Sequence, residues 1–199
     1  MTAETDPLST RPLHLELGCG GTKRNSHAVG VDQRALPGVD VVGDALSVLG
    51  SLAEASVVSI SSEHFMEHLD DPRALVAASA RVLQDGGEFR CVVPHFSNAA
   101  YHSDPTHRTQ FGLYTFGYWL ESTPLRRQVP HYDEALPFAL ESVRFGFKSS
   151  RPFYVRHAIV KVSSSWVNVS TWTKELYEER LCWLMPAYEI EFVLRRNTR

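Results

Sequence analysis

The first half of the chain alternates short apolar runs with glycine or polar turns, and each run is about four to six residues long. Runs of this length, bounded by turn residues, are typical of buried strands. The runs that predict strands are residues 13–17, 28–32, 39–42, 57–61 and 88–93. Residues 71–84 place apolar side chains at helical spacing, and this predicts a helix capped by Asp70 or Asp71 and closed by Gly86 and Gly87. Alternating strands and helices predict a parallel sheet.

The second half continues the pattern less regularly. Further strands are predicted at residues 141–148, 154–162 and 190–195, and a helix is predicted across 170–184.

Residues 95–137 form an irregular segment that is rich in aromatic and histidine side chains. A segment that follows the fifth strand lies at the carboxyl end of the sheet, where open α/β folds bind their ligands. We therefore expect 95–137 to be a substrate-covering insertion within a single domain over 13–199. Residues 1–12, rich in Thr, Pro and acids, predict a flexible lead-in.

Composition narrows the classes of partner. With 199 residues, 43% hydrophobic and 22% charged, the chain is long enough for one substantial core. A net charge of −3 gives no electrostatic reason to bind nucleic acid, and no apolar stretch approaches the roughly 20 residues that cross a bilayer. We expect a cytoplasmic protein without nucleic-acid or membrane partners. The three scattered cysteines predict neither a disulfide framework nor a zinc cluster.

The strongest chemical signal is the glycine turn after the first strand. Gly18, Gly20 and Gly21 follow residues 13–17, and a second apolar run ends in Asp32. Glycines let a backbone approach a ligand closely, and an acid at the end of the next strand can accept hydrogen bonds from a ribose diol. The pattern predicts a site for an adenosine-containing cofactor.

The surroundings of the turn argue against two nucleotide cofactors. Lys23 stands where a dinucleotide fingerprint has its third glycine, and Asp32 follows Gly20 by only twelve positions instead of about 20. NAD therefore fits poorly. A phosphate-binding P-loop fits worse, because Lys23 is not followed by Ser or Thr.

These residues resemble class I S-adenosylmethionine (SAM) dependent methyltransferases. The resemblance rests on motifs in the family's order: Glu16-Leu17-Gly18-Cys19-Gly20-Gly21, Asp32, Val42-Gly43-Asp44-Ala45, Ser62-Glu63-His64-Phe65-Met66-Glu67-His68-Leu69, Arg81-Val82-Leu83-Gln84-Asp85-Gly86-Gly87 and Val92-Val93-Pro94. It covers residues 13–96 and continues more weakly through 104–107 and 185–192. The branch it resembles is found in bacterial glycan and natural-product pathways.

The resemblance implies a Rossmann-like, doubly wound α/β fold with a mostly parallel seven-stranded sheet and helices on both faces. Two features depart from the family. Thr22 occupies the third glycine position, and only about ten residues separate the turn from the second strand. Since a crossover needs roughly 10–12 residues, the first helix must be very short or irregular.

The resemblance also implies the SAM-binding residues. Gly18, Cys19 and Gly20 would contact the amino-acid end of SAM, and Glu16 would lie near its ammonium group. Asp32 would bind the ribose, and Asp44 and Ala45 would contact the adenine. Glu63 would lie near the sulfonium. An ordinary tight turn at the glycines and solvated acids at the other positions are the alternatives.

The catalytic candidates are His64, His102, Asp104 and His107. Methyl transfer needs the acceptor in line, dry surroundings and often a base, and histidine titrates near neutral pH. Asp104 could orient such a histidine, or it could simply begin a turn before Pro105. His64 could contact the cofactor or the substrate.

No metal ligand is predicted. His64 and His68 lie four apart, but their order with the glutamates differs from H-E-x-x-H, and an iron site at 102–107 would lack the usual distant third ligand.

We expect an enzyme that transfers a methyl group from SAM to the oxygen or nitrogen of a small molecule, such as a sugar or specialised metabolite. Two alternatives remain: a SAM enzyme of the same fold that cyclises or eliminates the aminoalkyl chain, and a non-catalytic protein that stabilises a partner. The aromatic segment and residues 166–183 are candidates for a homodimer surface.

Overall fold

Seven strands form one sheet in a computed structural model that describes residues 6–9, 11–148 and 154–197. In chain order they are β1 (Leu13–Leu17), β2 (Val29–Asp32), β3 (Val41–Val42), β4 (Val57–Glu63), β5 (Leu83–Pro94), β6 (Phe138–Gly146) and β7 (Glu189–Arg196). Across the sheet the order is β3-β2-β1-β4-β5-β7-β6. The first five strands are parallel, and β7 is antiparallel to both its neighbours. The predicted mostly parallel, seven-stranded, Rossmann-like sheet is confirmed.

Five helices accompany the sheet in the described residues. They are α1 (Ala45–Ser51), α2 (Pro72–Val82), α3 (Ala99–Ser103), α4 (Tyr154–Val167) and α5 (Thr171–Leu176), which continues into a π turn at Tyr177–Leu181. Short 3-10 turns lie at Pro7–Ser9, Met66–His68 and Thr115–Tyr118.

Helix α2 begins as its sequence predicts but ends early. The Asp71 carboxylate accepts a hydrogen bond from the Ala74 N–H and caps the helix, and Pro72 occupies its first turn. The helix ends at Val82, and β5 starts at once, so Gly86 and Gly87 lie within the strand instead of closing the helix.

The predicted strand at 154–162 is wrong, because these residues belong to α4. The run is rich in β-branched residues, which favour strands when burial is unknown. Ile159 and Val162 are exposed, whereas Val160 and Val167, two helical turns apart, are buried. The burial therefore follows a helical period. The later helix prediction holds for α5, where Ser170 and Thr173 form a capping box.

The connection between β1 and β2 contains no helix in residues 18–28, all of which the structure describes. This confirms that the first crossover element is irregular. The connection between β2 and β3, residues 33–40, is also a loop.

The described helices lie mainly on one face of the sheet, and not on both as expected. Right-handed crossovers place the two loop connections on one face and the connections that contain α1 and α2 on the other. The helical face is apolar and buried, and it continues through Val167 and Tyr177 into one core. On the loop face, Ser61, Arg90 and Glu191 are half-buried. Such one-sided alternation is unusual for parallel strands.

Much of the segment 95–137 belongs to this core: Phe111, Leu113 and Phe116 are fully buried. Residues 1–5 and 10 of the expected lead-in, and 149–153 of the chain, lie outside the described residues. In the part of the chain described here, no helix has both the length and the apolar character to span a bilayer.

Candidate functional site

The glycine turn lies at the carboxyl end of β1 and is held by β2. The N–H groups of Gly18 and Cys19 both donate to the Val31 carbonyl, at 2.8 and 3.3 Å. Gly18 and Gly20 have φ values of +66° and +58°, a region that glycine adopts without a Cβ clash. A Cβ on Gly18 would lie 2.3 Å from the Phe65 ring, whereas a Cβ on Gly20 would meet no atom of the described residues within 4 Å. The turn is thus packed on one side and open at Gly20.

Asp32 ends β2 and faces the turn. Its Oδ2 accepts a hydrogen bond from the Gly20 N–H, and its Oδ1 accepts one from the Arg34 N–H, both at 2.9 Å. A carboxylate has about four acceptor sites, so two remain for a ligand's hydroxyl groups.

Glu16 is buried beneath the loop that follows the turn. Its carboxylate accepts the N–H groups of Arg24 and Asn25 at 2.9 to 3.1 Å. Arg24 in turn forms an ion pair with Glu63, at 2.9 Å between Nε and Oε2. Glu16 and Glu63 therefore both hold the loop, a role the sequence analysis missed because no pattern marks Arg24.

Asp44, Ala45 and Cys19 complete the predicted cofactor set. Asp44 caps α1, and the hydrogen bond from the Ser47 N–H lowers the pKa of its carboxyl group. Ala45 is buried in the first turn of that helix. Cys19 is also buried, and burial raises the pKa of its thiol.

Gly20 and Asp32 have features that suit SAM. The open side of Gly20 leaves room for a ligand against the backbone, and the Asp32 carboxylate beside it retains acceptor sites for a ribose. The residues assigned to the cofactor lie in or just after β1, β2, β3 and β4, toward the carboxyl ends of these strands.

His64 lies at the end of β4 with a positive φ of 51°. Its Nε2 is 3.3 Å from Glu189 Oε2, and its Nδ1 is 3.6 Å from Glu67 Oε1. The two carboxylates raise the pKa of His64 to about 9, against a smaller opposing effect of burial. The hydrogen bond from His64, with help from Lys148, lowers the pKa of Glu189 to about 2 although burial opposes it. At neutral pH this is an imidazolium held between two carboxylates.

A cavity of about 260 Å³ opens beside His64. It is lined by His64, Glu67, His68, Pro94, Asn98, Ala100, Tyr101, Asp104, His107 and Tyr188. Three of the four catalytic candidates therefore share one cavity. The cavity lies at the carboxyl ends of β4 and β5, the same end of the sheet as the glycine turn after β1.

Asp104 and His107 lie close together in this wall. The Asp104 Oδ1 accepts hydrogen bonds from the Thr106 N–H and hydroxyl, at 2.8 and 2.6 Å, and these lower the pKa of the carboxyl group. Its Oδ2 is 3.6 Å from His107 Nε2. The turn geometry and the proximity to histidine, considered as alternatives from sequence, are both present.

His102 is placed differently from the other candidates. Its Nε2 donates to the Phe96 carbonyl at 2.9 Å, the residue is exposed, and it is not among the residues that line the cavity.

The sequence analysis missed two acidic residues of this site. Glu189 comes from β7, far along the chain from His64, and no spacing rule links the two. Glu67 lies within the quoted motif 62–69, but nothing in the sequence shows that it is buried.

A larger cavity, about 350 Å³, lies on the loop face of the sheet. Arginine and glutamate side chains line it, and two of them, Arg90 and Glu191, form an ion pair at 2.7 Å. We do not assign the chemistry to this cavity, because it lacks the histidine cluster of the smaller one.

Comparisons with known proteins agree with the Rossmann-like fold and with a methyltransferase domain. Residues 15–91 match the family model of a methyltransferase domain. A SAM dependent methyltransferase from Archaeoglobus fulgidus is 18% identical, with a TM-score of 0.54 over 92% of this chain and 85% of that chain. The YcgJ protein from Bacillus subtilis is 14% identical, with a TM-score of 0.51 over 94% and 92%. A chain from the complex between the Haloferax volcanii Trm112 methyltransferase activator and a methyltransferase is 15% identical. Its TM-score is 0.52 over 96% of this chain and 88% of that chain. No curated protein matches the chain in sequence. At these identities, the structural likeness is one of fold.

Proposed function

We propose that the chain is a SAM-dependent methyltransferase of the class I fold and that it methylates an oxygen or nitrogen of a small molecule. The match of residues 15–91 to a methyltransferase-domain model and the strand order of the sheet support this proposal. A sugar or a specialised metabolite is the acceptor class we favour. The observation behind the proposal is the 260 Å³ cavity with its histidine cluster, which lies at the same end of the sheet as the glycine turn. Donor and acceptor sites at one end of the sheet suit direct transfer between two bound molecules.

The proposal includes the contacts between SAM and the residues assigned to it. SAM supplies a methyl group on a sulfonium, which needs little further activation. The turn at Gly18, Cys19 and Gly20 would bind its carboxylate end, and Asp32 would accept the ribose hydroxyls. The remaining assigned residues, Glu16, Asp44, Ala45 and Glu63, would shape the pocket around the ammonium and the adenine.

On the acceptor side, His64, Asp104 and His107 are proposed to position the substrate. The His107 Nδ1–H donates to the Tyr101 carbonyl at 3.0 Å, so Nε2 keeps its lone pair. That lone pair can accept a hydrogen bond from an acceptor hydroxyl or amine. His102 is left out of the proposed acceptor site because its ring is used by the Phe96 carbonyl. The segment 95–137 would cover the acceptor and exclude water.

The test is calorimetric titration of the purified protein with SAM and S-adenosylhomocysteine, with NADH as the negative ligand. Asp32→Ala should weaken SAM binding about 10- to 100-fold, the range for loss of hydrogen bonds to a charged group. Glu54→Ala is the matched control, because it removes an exposed acid before β4, at the opposite edge of the sheet. The folded protein's failure to bind either ligand would overturn the proposal.

Product analysis with candidate acceptors then identifies the reaction. S-adenosylhomocysteine is the product of methyl transfer. Methylthioadenosine would instead indicate cyclisation or elimination of the aminoalkyl chain. Cofactor binding without any turnover would favour the non-catalytic alternative.

A further inference from the structure

Three side chains in the wall of the cavity have the composition of a metal site. Glu67, His68 and His107 each offer one ligand atom, and these atoms all lie within 4.8 Å of one another. Glu67 is 1% exposed, and within the described part of the chain its Oε2 has no hydrogen-bond partner. Burying a carboxylate oxygen without a partner is costly. Glu67 Oε1 faces His64 at 3.6 Å, so a cation would satisfy the other oxygen, Oε2.

Both histidines are held in the tautomer that a metal requires. The Tyr101 carbonyl can only accept, so the His107 Nδ1 at 3.0 Å must carry the proton. The His68 Nδ1 is 3.0 Å from the Thr106 hydroxyl oxygen, which donates its own proton to Asp104 and so must accept from His68. Each ring keeps a free lone pair on Nε2. Metal-binding histidines are fixed in this way by partners on the other ring nitrogen.

The backbone also holds the cluster together. The Glu67 carbonyl accepts the N–H groups of Arg108 and Thr109, at 2.7 and 3.1 Å. This ties the segment that contains His107 to the turn that contains Glu67 and His68. The rings of His68 and His107 pack edge to face with centroids 4.9 Å apart.

We propose that Glu67, His68 and His107 bind a divalent first-row transition-metal ion. Two neutral imidazoles and one carboxylate are a ligand set for such ions, with one or more positions left open. Ligands at about 2.1 Å in a tetrahedral arrangement are about 3.4 Å apart, so separations of up to 4.8 Å must contract by up to about 1.4 Å. His68 and His107 are both less buried than Glu67, so the contraction would fall on the two histidines.

An ion held by these three residues would border the cavity, because all three line it, and it could therefore bind the acceptor. Under the proposed function, an acceptor oxygen or nitrogen would bind through the ion and no longer through the lone pair of His107. Metal binding itself does not depend on methyl transfer. The pair considered from sequence, His64 and His68, is not the one that the structure groups.

The test is titration of metal-free protein, produced without a polyhistidine tag, with Co²⁺, followed by the visible absorption of the bound ion and by competition with Zn²⁺. We expect one equivalent to bind, with absorption typical of nitrogen and oxygen ligands. His107→Gln and Glu67→Gln should each weaken binding at least about 10- to 100-fold, since loss of even an outer partner of a ligand has that effect. His102→Gln is the matched control, because its ring lies outside the cluster.

Two results would overturn the inference. One is the absence of saturable Co²⁺ binding to folded wild-type protein, and the other is equal affinity in the His107→Gln and His102→Gln variants. Circular dichroism checks the folding of each variant, and His68→Gln, at a half-exposed turn, replaces Glu67→Gln if loss of the buried carboxylate unfolds the chain. Calorimetry with SAM tests the proposed function separately, so its failure and the failure of metal binding can be told apart.

Discussion

Two glycines of the turn after β1 share a left-handed backbone but have different surroundings. Replacing Gly18 with Ala adds the cost of a positive φ, about 1–2 kcal/mol, and drives a Cβ into the Phe65 ring. We expect Gly18→Ala to lower the free energy of unfolding by about 2–3 kcal/mol. Gly20→Ala meets open space, so it should cost only about 1 kcal/mol of stability. Urea denaturation measures both values.

Gly18→Ala and Gly20→Ala should also differ in their affinity for SAM. A Cβ on Gly20 occupies the space proposed for SAM, so Gly20→Ala should weaken SAM binding at least about tenfold although it is the more stable variant. Calorimetry gives the affinities. Equal stability losses, or unchanged SAM affinity in Gly20→Ala, would contradict this account of the turn.

Glu189 is the residue whose charge should matter most at acid pH. His64, at the end of β4, and Lys148, after β6, both face its carboxylate, and its pKa is lowered to about 2. A carboxyl group with a depressed pKa stabilises the fold fully above its unfolded pKa, near 4.5, and this contribution is lost as pH falls toward 2. Removing it should cost about 2 kcal/mol at pH 7.

The measurement is urea denaturation of Glu189→Gln and wild type between pH 3 and pH 7. The difference in stability should shrink as the pH falls through 4.5. Glu191→Gln is the control on the same strand, because its ion pair with Arg90 is partly open to solvent, with the Arg90 side chain 38% exposed, and such pairs contribute little. A constant difference across this range would show that Glu189 acts through packing alone.

At the scale of elements, the loop 18–28 takes the place of a helix and is held by Glu16. The buried carboxylate accepts the N–H groups of Arg24 and Asn25. Gln keeps one acceptor oxygen but turns an amide toward these donors. We therefore expect Glu16→Gln to destabilise the protein by about 1–2 kcal/mol and to speed hydrogen exchange of both amides about 10-fold or more.

Arg24→Ala is the comparison for this prediction. The Arg24 side chain is 72% exposed, so its ion pair with Glu63 should contribute less than about 1 kcal/mol. Hydrogen exchange followed by mass spectrometry distinguishes the two variants. An Arg24→Ala effect as large as that of Glu16→Gln would mean that the ion pair, and not the buried carboxylate, holds the loop.

The sequence predicted elements well where one face of a strand or helix is buried. β1 and the start of α2 follow from apolar runs, an N-cap and a proline, which are local signals. Helix α4 was read as a strand because its β-branched residues favour either state until burial is known. The single helical face could not be foreseen, because it depends on which crossovers are loops.

The site also has parts that local sequence signals predict and parts that they do not. The glycine turn and Asp32 are close in sequence, and their spacing alone predicts a cofactor site. The contacts of His64 with Glu189, and of Glu67 with His107, join residues that are distant along the chain. Periodicity and motifs carry no information about such contacts, since these arise only when β4, β7 and the segment 95–137 come together.

At the scale of the whole molecule, the described helices leave one apolar stripe in contact with solvent. Its members are Ile159, Val162 and Trp166 of α4, which are 41% to 73% exposed, and Val169, which is 75% exposed and lies two residues beyond the end of the helix. The spacings of three and four residues within the helix match the a and d positions of paired helices. The buried side of α4, at Val160 and Val167, lies about 100° away around the helix. Helix α4 thus presents a second apolar surface that the core does not use.

We therefore keep the prediction of a homodimer and place its contact at this stripe. A two-fold dimer would pair α4 with the same helix of a second copy, since such interfaces use one patch twice. Sedimentation of wild type should show a concentration-dependent dimer. Val162→Glu with Trp166→Glu should give a folded monomer, because it would bury like charges at the contact. Tyr132→Glu, at another exposed aromatic residue, should leave the dimer intact. A wild-type monomer at every concentration would contradict the prediction.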